Sequence, residues 1–172
     1  MMLMAADQSV RGFAFAAAPT FWGGDWRRVI TGRFDGGMVA RGDEDGAGAR
    51  LRAVFDWFDK QICLLEPNLI GFESYGFSSR PDVHVVELVG AIKHRLFQHS
   101  INYETVQQSS ARKLVVGAKK IPKKGEDAKR LMKEILTANG APATLSLDET
   151  DALVILNSMQ IRHGGTALVK TH

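Results

Sequence analysis

The hydrophobic positions of this chain predict strands at its start, followed by alternating helices and strands. Three runs near the N-terminus have the length and apolar content of strands, at residues 3–7, 12–18 and 26–34. Glycine pairs at 23–24 and 36–37 mark turns on either side of the third run. We therefore expect these three strands to pair as an antiparallel meander.

Helical periodicity begins after a loop of Gly, Asp and Glu at 42–48. Apolar residues recur at helical spacing from Leu51 to Leu65, and Pro67 ends that helix. Residues 68–73 are apolar at nearly every position, as in a central strand of a mostly parallel sheet. The rest of the pattern predicts a helix, a strand and three more helices, at 81–99, 101–106, 109–116, 126–138 and 147–162. This order indicates an α/β fold: a mixed five-stranded sheet with an antiparallel meander at one side and helices on both faces.

The predicted helix at 81–99 has a very wide apolar side. Its apolar positions are Val85, Val86, Leu88, Val89, Ile92 and Leu96. A helix with so broad a hydrophobic face is expected to pack against more than its own sheet. Two explanations are open, namely association of two subunits through this helix and burial of the helix in the centre of one domain.

Length and composition are those of one soluble domain, which we place over residues 1–172. We expect the tail after Gly164 and Gly165 to fray, over about the last eight residues. No apolar run is long enough to span a bilayer, and the N-terminus does not have the pattern of a secretory signal. One cysteine, Cys63, excludes an internal disulfide framework and a cysteine-based zinc site. It falls on the apolar side of a helix, so we expect a buried thiol. Taken together, these features predict a cytoplasmic protein.

Positive charge is concentrated in one segment. The net charge is +3 and the pI is about 9.1. Between residues 112 and 133, only Glu126 and Asp127 oppose nine basic residues, which are Arg112, Lys113, Lys119, Lys120, Lys123, Lys124, Lys129, Arg130 and Lys133. A clustered positive surface suits a polyanion, because phosphate contacts dominate such affinities. The other interpretation is a solvated helix face, since charged runs usually have that role.

Four carboxylates lie at the ends of apolar elements. Asp7 ends the first strand and Glu73 ends the strand at 68–73. Asp148 and Asp151 open the last helix, three residues apart and therefore on one face. A charge beside a hydrophobic element costs free energy unless something compensates it. A pair of Mg²⁺ ions is one such compensator, because hard cations prefer oxygen ligands and paired ions serve in-line displacement at phosphorus.

Each acid also has a purely structural interpretation. Asp7 could begin a turn with Ser9, and Glu73 could pair with a lysine. Asp148 could simply occupy a first helical turn, where the helix dipole favours acids. The joint pattern favours the metal site, because a strand-end Asp, a strand-end Glu and a helical Asp-x-x-Asp follow in order, with the lysine cluster before the last pair.

These residues resemble the RuvC group of Holliday junction resolvases, within the ribonuclease-H-like nuclease superfamily. Residues 4–13 are similar to the family's opening strand and turn, and residues 67–73 to the strand that ends in the catalytic Glu. The Asp-x-x-Asp-Ala segment within 148–153 matches the family's terminal signature, and 112–117 and 127–130 resemble its lysine-bearing DNA segments. The resemblance spans residues 3 to about 159.

The resemblance implies a ribonuclease-H-like fold and a homodimer that binds a four-way (Holliday) DNA junction and nicks two strands symmetrically. It implies that two Mg²⁺ ions, which Mn²⁺ can replace, are held by four catalytic residues, Asp7, Glu73, Asp148 and Asp151. Lys113 and Lys129 correspond best to the family's basic residues near the phosphates. Together with the basic segment it predicts these DNA-binding residues: Arg112, Lys113, Lys119, Lys120, Lys123, Lys124, Lys129, Arg130, Tyr75 and Phe77.

Two features depart from the family pattern. Gly76 occupies the place of an aromatic residue that wedges at the junction point, with Tyr75 and Phe77 on either side. These aromatics would either stack on bases or cover the edge of the sheet. The segment 22–48 is rich in Gly and acids and lacks the pattern of the family's cellular members. In this respect the chain resembles a bacteriophage-type member, and that resemblance implies action on branched DNA in the host cytoplasm.

Two other functions remain open on the sequence alone. A ribonuclease-H-like enzyme acting on RNA–DNA hybrids or on flap DNA would share the four acids without needing a dimer. A non-catalytic DNA-binding module with this fold is disfavoured, because all four acids are intact. No phosphate-binding glycine loop is present, so we expect no nucleotide cofactor.

Overall fold

The computed structural model of the chain describes residues 1–8, 12–35, 44–74, 83–117, 120–122 and 125–169. Its strands, in chain order, are β1 (Met2–Asp7), β2 (Ala14–Pro19), β3 (Ile30–Arg33), β4 (Leu69–Glu73) and β5 (Asn102–Val106). Its α-helices are α1 (Glu44–Leu65), α2 (Val83–Gln98), α3 (Gln108–Val116), α4 (Gly125–Ala138) and α5 (Leu147–Arg162).

The five strands form one mixed sheet in the order β3-β2-β1-β4-β5. β1 and β3 are antiparallel to β2, whereas β1, β4 and β5 run parallel. β1 suits the centre of the sheet because both of its faces are apolar: Leu3 and Ala5 face one layer, and Met4 and Ala6 face the other. The predicted α/β fold, with a meander joined to parallel strands and helices on both faces, is confirmed.

Helix α5 is the centre of one of the two helical layers. Residues 150–160 are all buried, as expected for a helix enclosed on every side. Gly71 of β4 permits close packing, because a Cβ at this position would overlap the Met159 sulfur. α3 and α4 pack on the outer side of α5, while α1 and α2 cover the opposite face of the sheet around Phe58 and Ile92. The acids at the start of α5 are thereby held against the sheet.

The C-terminal tail is packed as far as Val169, which differs from the predicted fraying. The Asn157 Oδ1 atom accepts hydrogen bonds from the backbone N–H groups of Leu168 (2.8 Å) and Val169 (3.3 Å). Both apolar side chains are buried against the α5 side of the sheet. A buried amide on the central helix therefore holds the tail. Residues 170–172 lie outside the described residues.

Two predicted element boundaries are wrong. Residues 26–28 form a short 3₁₀ helix rather than the start of a strand, because the Asp25 carboxylate accepts a hydrogen bond from the Arg27 N–H (3.0 Å) and caps the turn. Helix α1 begins at Glu44, within the predicted loop at 42–48. β3, the strand that follows the 3₁₀ helix, is therefore short, and it ends at Arg33, which faces the acids at the start of α5.

The cysteine does not behave as its sequence position suggests. Cys63 is exposed rather than buried, because it lies beside the buried stripe of α1, of which Ile62 is a member. Among the described residues, no helix has the length and apolar content needed to cross a bilayer.

Candidate active site

Asp7 and Glu73 lie side by side at the carboxyl edge of the sheet. β1 and β4 are parallel neighbours with Ala6 paired to Phe72, so the next residue of each strand emerges at the same edge. Asp7 is 4% exposed, and Glu73 is partly buried. Gln8 Nε2 donates a hydrogen bond to the Glu73 carbonyl oxygen (2.5 Å) and so ties the two strand ends together.

Helix α5 brings the other two acids to this edge. A capping box fixes its first turn: the Glu149 N–H donates to Ser146 Oγ (3.2 Å), and the Ser146 N–H donates to the Glu149 carboxylate (2.9 Å). Asp148 and Asp151 then share the face of α5 that meets the strand ends. The Asp151 side chain is 3% exposed and the Asp148 side chain 23%.

The ammonium group of Lys129, from α4, lies among three of these acids. Its Nζ atom is 2.8 Å from Asp151 Oδ2, 3.2 Å from Asp148 Oδ1 and 3.7 Å from Asp7 Oδ2. The sequence predicts Lys129 as a phosphate contact, whereas here it is an internal counter-ion. It compensates the charge that the apolar elements leave at their ends.

Two arginines flank the acids on opposite sides. From α3, Arg112 Nη2 is 3.0 and 3.2 Å from the two carboxylate oxygens of Asp151, and the Arg112 side chain is 16% exposed. From β3, Arg33 Nε is 3.4 Å from Asp148 Oδ2, and the Arg33 side chain is 37% exposed. The acids are thus bracketed by guanidinium groups.

Burial governs the ionisation of the two strand-end acids. It raises the pKa of Asp7 well above its usual value; the nearby Lys129 ammonium opposes this effect, and the neighbouring carboxylates add to it. Burial also raises the pKa of Glu73, with Asp151 adding to the shift and Arg112 opposing it. For Lys129, burial alone lowers the pKa, but the surrounding carboxylates outweigh burial and raise it. The site therefore keeps its lysine charged and resists full ionisation of its acids.

In metal-free buffer, we expect the Asp7→Asn variant to gain stability relative to the unchanged protein as the pH rises. A carboxyl whose pKa is higher in the folded chain than in the unfolded chain costs stability as the pH rises above the unfolded value of about 4. Asp7 has such a raised pKa, and Asn does not titrate. The measurement is urea unfolding with a chelator between about pH 5 and pH 8. A difference in unfolding free energy that does not change with pH would contradict the expectation.

The donor atoms suit a divalent metal ion. Asp7 Oδ2 is buried and has no hydrogen-bond partner among the described residues. All four acids offer carboxylate oxygens, which are the ligands that Mg²⁺ prefers. In the arrangement seen here, no three Asp, Glu, His or Cys side chains of the described residues form a ready metal site. The chemistry of the donors fits, and the Lys129 ammonium would have to leave its place among the acids for a metal ion to bind there.

The other predicted DNA-binding residues that the structure describes lie outside this cluster. Lys113 and Lys120 are exposed, and Arg130 is paired with Glu126 on the surface of α4 (2.7 Å). The remaining predicted residues fall outside the described residues; they are Lys119, Lys123, Lys124, Tyr75 and Phe77.

Sequence reasoning missed Arg33 and the role of Gly12. A Cβ at Gly12 would overlap Asp148 Oδ2 and lie 3.2 Å from Arg33 Nε, so only glycine leaves room for this ion pair. The available signal was the β2–β3 pairing, which places Arg33 opposite Ala14. That pairing depends on a turn whose register the residues alone do not specify.

The sheet order and the helices on its two faces define a ribonuclease-H-like fold, with four carboxylates at the carboxyl edge of its central strands. Solved structures of Holliday junction resolvases have the same fold. Thermus thermophilus RuvC is 14% identical to this chain, with a TM-score of 0.61 over 96% of this chain and 98% of that one. The same protein in complex with a Holliday junction substrate gives 13% identity and a TM-score of 0.63, over 95% and 97%.

Two resolvases from other sources are similar as well. The complex of the fowlpox virus resolvase with substrate Holliday junction DNA is 11% identical, with a TM-score of 0.57 over 95% of this chain and 99% of that one. The yeast mitochondrial Holliday junction resolvase is 10% identical, with a TM-score of 0.56 over 94% and 80%. No family model and no curated protein sequence matches the chain. The predicted resemblance to RuvC is thus confirmed for the fold.

Proposed function

We propose that this chain is a metal-dependent endonuclease that cuts four-way DNA junctions as a homodimer, by paired symmetric nicks. The observation that carries the proposal is the convergence of Asp7, Asp148 and Asp151 on one cationic centre, next to Glu73. The fold adds support, because two of the similar structures are complexes with Holliday junction DNA.

In this mechanism the four carboxylates would hold Mg²⁺ or Mn²⁺ ions. Bound ions would supply an activated water for attack on the scissile phosphate and would stabilise the leaving oxygen. Asp7 would be the central ligand, since its buried Oδ2 atom has no hydrogen-bond partner among the described residues. Arg112 orients Asp151 through two contacts to its carboxylate. Once displaced from the acids, the Lys129 ammonium would interact with the negatively charged phosphate.

The decisive experiment is a substrate panel. Purified protein is incubated with Mg²⁺ and four-way junctions, flaps, linear duplex or RNA–DNA hybrid. The proposal expects the fastest cleavage on the four-way junction, with paired nicks at symmetric positions. Faster cleavage of hybrid or of flaps by a monomer would favour the alternative of a ribonuclease-H-like or flap-cutting enzyme. No cleavage of any of these substrates would refute the proposal.

The homodimer is supported by the outer face of α2. Val85, Leu88, Val89, Ile92 and Leu96 are buried within the domain. A second apolar stripe on the same helix faces outward, with Val83 60%, Val86 44% and Phe97 81% exposed. Gly90 lies on this stripe, and a Cβ there would meet nothing within 4 Å. Central burial therefore accounts for one face of α2 only, and we assign the outer face to a second copy of the chain.

We expect Phe97→Asp to weaken dimerisation by at least about thirtyfold, because an aromatic anchor of an interface typically contributes 2 kcal/mol or more. The matched control is Leu64→Asp on α1, since Leu64 is also an exposed apolar residue, at 66%. Sedimentation equilibrium measures both dissociation constants. Equal dimer affinity in the two variants would show that α2 is not the interface.

We expect Lys113→Ala to weaken junction binding and to make the slope of log affinity against log salt about 0.9 less steep, because each lost phosphate contact releases one counterion fewer. Lys113 is exposed on α3, beside Arg112. Lys60→Ala on α1 removes the same charge from the opposite face of the sheet. Binding is measured with Ca²⁺ across a salt series. A slope equal to that of the unchanged protein would count against a phosphate contact at Lys113.

A further inference from the structure

Arg33 lies in register with the central acid of the site. Across the sheet, Asp7 pairs with Ala14, and Ala14 pairs with Arg33. Paired residues of antiparallel strands share a face, so all three side chains point toward α5. Ala14, which lies between the acid and the arginine, is small and fully buried. The arginine thus stands two strands from Asp7, about 10 Å in the hydrogen-bonding direction.

Strand β3 is attached to the start of α5 at two points. Arg33 Nε lies 3.4 Å from Asp148 Oδ2, while Lys129 lies 3.2 Å from the other oxygen of the same carboxylate. Two residues earlier on the strand, Thr31 Oγ1 donates a hydrogen bond to Glu149 Oε1 (3.0 Å). These contacts hold the Arg33 guanidinium beside the acid cluster, so that it does not extend away into solvent.

The contact between Arg33 and Asp148 leaves most of the guanidinium available. A separation of 3.4 Å is longer than a good hydrogen bond, and within the described residues Arg33 donates no hydrogen bond. Its side chain is 37% exposed, against 16% for Arg112. A guanidinium has five N–H donors in a planar fork that matches a phosphate group. Arg33 is therefore oriented by one carboxylate and still open to a ligand.

An anionic strand that approaches four carboxylates needs positive charge on both sides of them. Arg112 supplies it on the α3 side, and among the described residues Arg33 supplies it on the β3 side, next to Asp148. We propose that Arg33 is a substrate-binding residue, whose guanidinium binds a backbone phosphate next to the scissile one on the β3 side of the site. This inference rests on the proposed nuclease function and adds a residue that the sequence pattern did not show.

The test compares Arg33→Ala and Arg33→Lys with Arg28→Ala. Arg28 is exposed at the end of the 3₁₀ helix before β3, near the opposite edge of the sheet, and its loss removes the same charge. Junction binding is measured with Ca²⁺ over a salt series, and nicking with Mg²⁺ gives KM and kcat. Thermal unfolding of each variant confirms that it folds.

For Arg33→Ala we expect roughly tenfold weaker binding, a salt slope about 0.9 less steep and an effect mainly on KM. Arg33→Lys should keep the slope and recover only part of the affinity, because an ammonium lacks the planar fork. Arg28→Ala should behave as the unchanged protein does. A salt slope for Arg33→Ala equal to that of the unchanged protein would overturn the inference, as would an equal effect of Arg28→Ala.

Failure of this inference is distinguishable from failure of the proposed function. If the unchanged protein neither binds nor cuts branched DNA, the proposed function and the role of Arg33 are both refuted. If it binds and cuts the junction while Arg33→Ala does so equally well, only the role of Arg33 is refuted. Should Arg33→Ala fail to fold, the affinity deficit of Arg33→Lys decides, and full affinity in that variant overturns the inference.

Discussion

Replacing Asp7 by Asn is expected to abolish metal-dependent nicking while leaving junction binding intact. Asp7 ends the central strand, is 4% exposed and has Glu73 on the neighbouring strand. An amide keeps the shape of the carboxylate but removes the charge that a divalent ion needs. We expect a loss of roughly a thousandfold or more in kcat, because in the proposed mechanism the activation of the attacking water depends on bound ions. Binding should persist, since the proposed phosphate contacts come from basic residues.

The matched control for Asp7→Asn is Asp56→Asn on α1. Asp56 is 61% exposed and pairs with Arg52 on the far face of the sheet. Cleavage of four-way junctions with Mg²⁺ and binding with Ca²⁺ are measured for both variants. The control should retain full activity. Asp151→Asn should reproduce the loss seen with Asp7→Asn, because both carboxylates belong to one cluster around the Lys129 ammonium group, which lies 2.8 Å from Asp151. Normal nicking by Asp7→Asn would remove the metal mechanism.

The Lys129→Met variant is expected to be unstable without metal and to be rescued by it. Lys129 is 27% exposed and contacts Asp7, Asp148 and Asp151, so its removal leaves their charges uncompensated. Breaking a fully buried pair costs 3–5 kcal/mol, and partial exposure reduces this to on the order of 2 kcal/mol. For a chain of this length, that lowers Tm by roughly 4–8 °C.

Divalent ions should stabilise Lys129→Met more than they stabilise the unchanged protein, because no ammonium has to be displaced. Calcium titrations followed by thermal unfolding and by calorimetry measure this difference without any cleavage. The control is Lys133→Met, one turn further along α4, where the lysine has no ion pair among the described residues. Equal responses of the two variants to Ca²⁺ would show that Lys129 does not occupy the place of the metal.

The positions of the four acids were predictable because a short stretch of sequence around each acid indicates the element that it ends or begins. Asp7 and Glu73 end apolar runs, and a strand of that kind is central in a parallel sheet. The first turn of α5 carries a capping box that the sequence shows directly, and the structure contains it. Hydrophobic periodicity and helix caps involve only a few neighbouring residues, so they can be recognised in the sequence without knowing the rest of the fold.

Lys129 and Arg33 show why the other charged contacts of the site were not predictable from the sequence. A lysine within a basic segment predicts a solvated, DNA-facing side chain, yet the packing of α4 on α5 brings the Lys129 ammonium to within 2.8 Å of Asp151. Arg33 follows a loop and a turn, and its place opposite Ala14 depends on strand register. The packing of the tail likewise depends on Asn157, whose Oδ1 atom accepts a hydrogen bond from the Leu168 N–H. No local sequence pattern indicates this contact.

The sequence by itself determined the fold class, the four acidic positions and the basic segment, because short-range patterns encode strands, helices and their ends. Only the tertiary structure decided which charges meet. It placed one ammonium among three aspartates, one arginine on each side of them and an apolar stripe on the outer face of α2. The physical reason is that charge compensation and side-chain packing arise between segments far apart in the chain, and only the folded register brings those segments together.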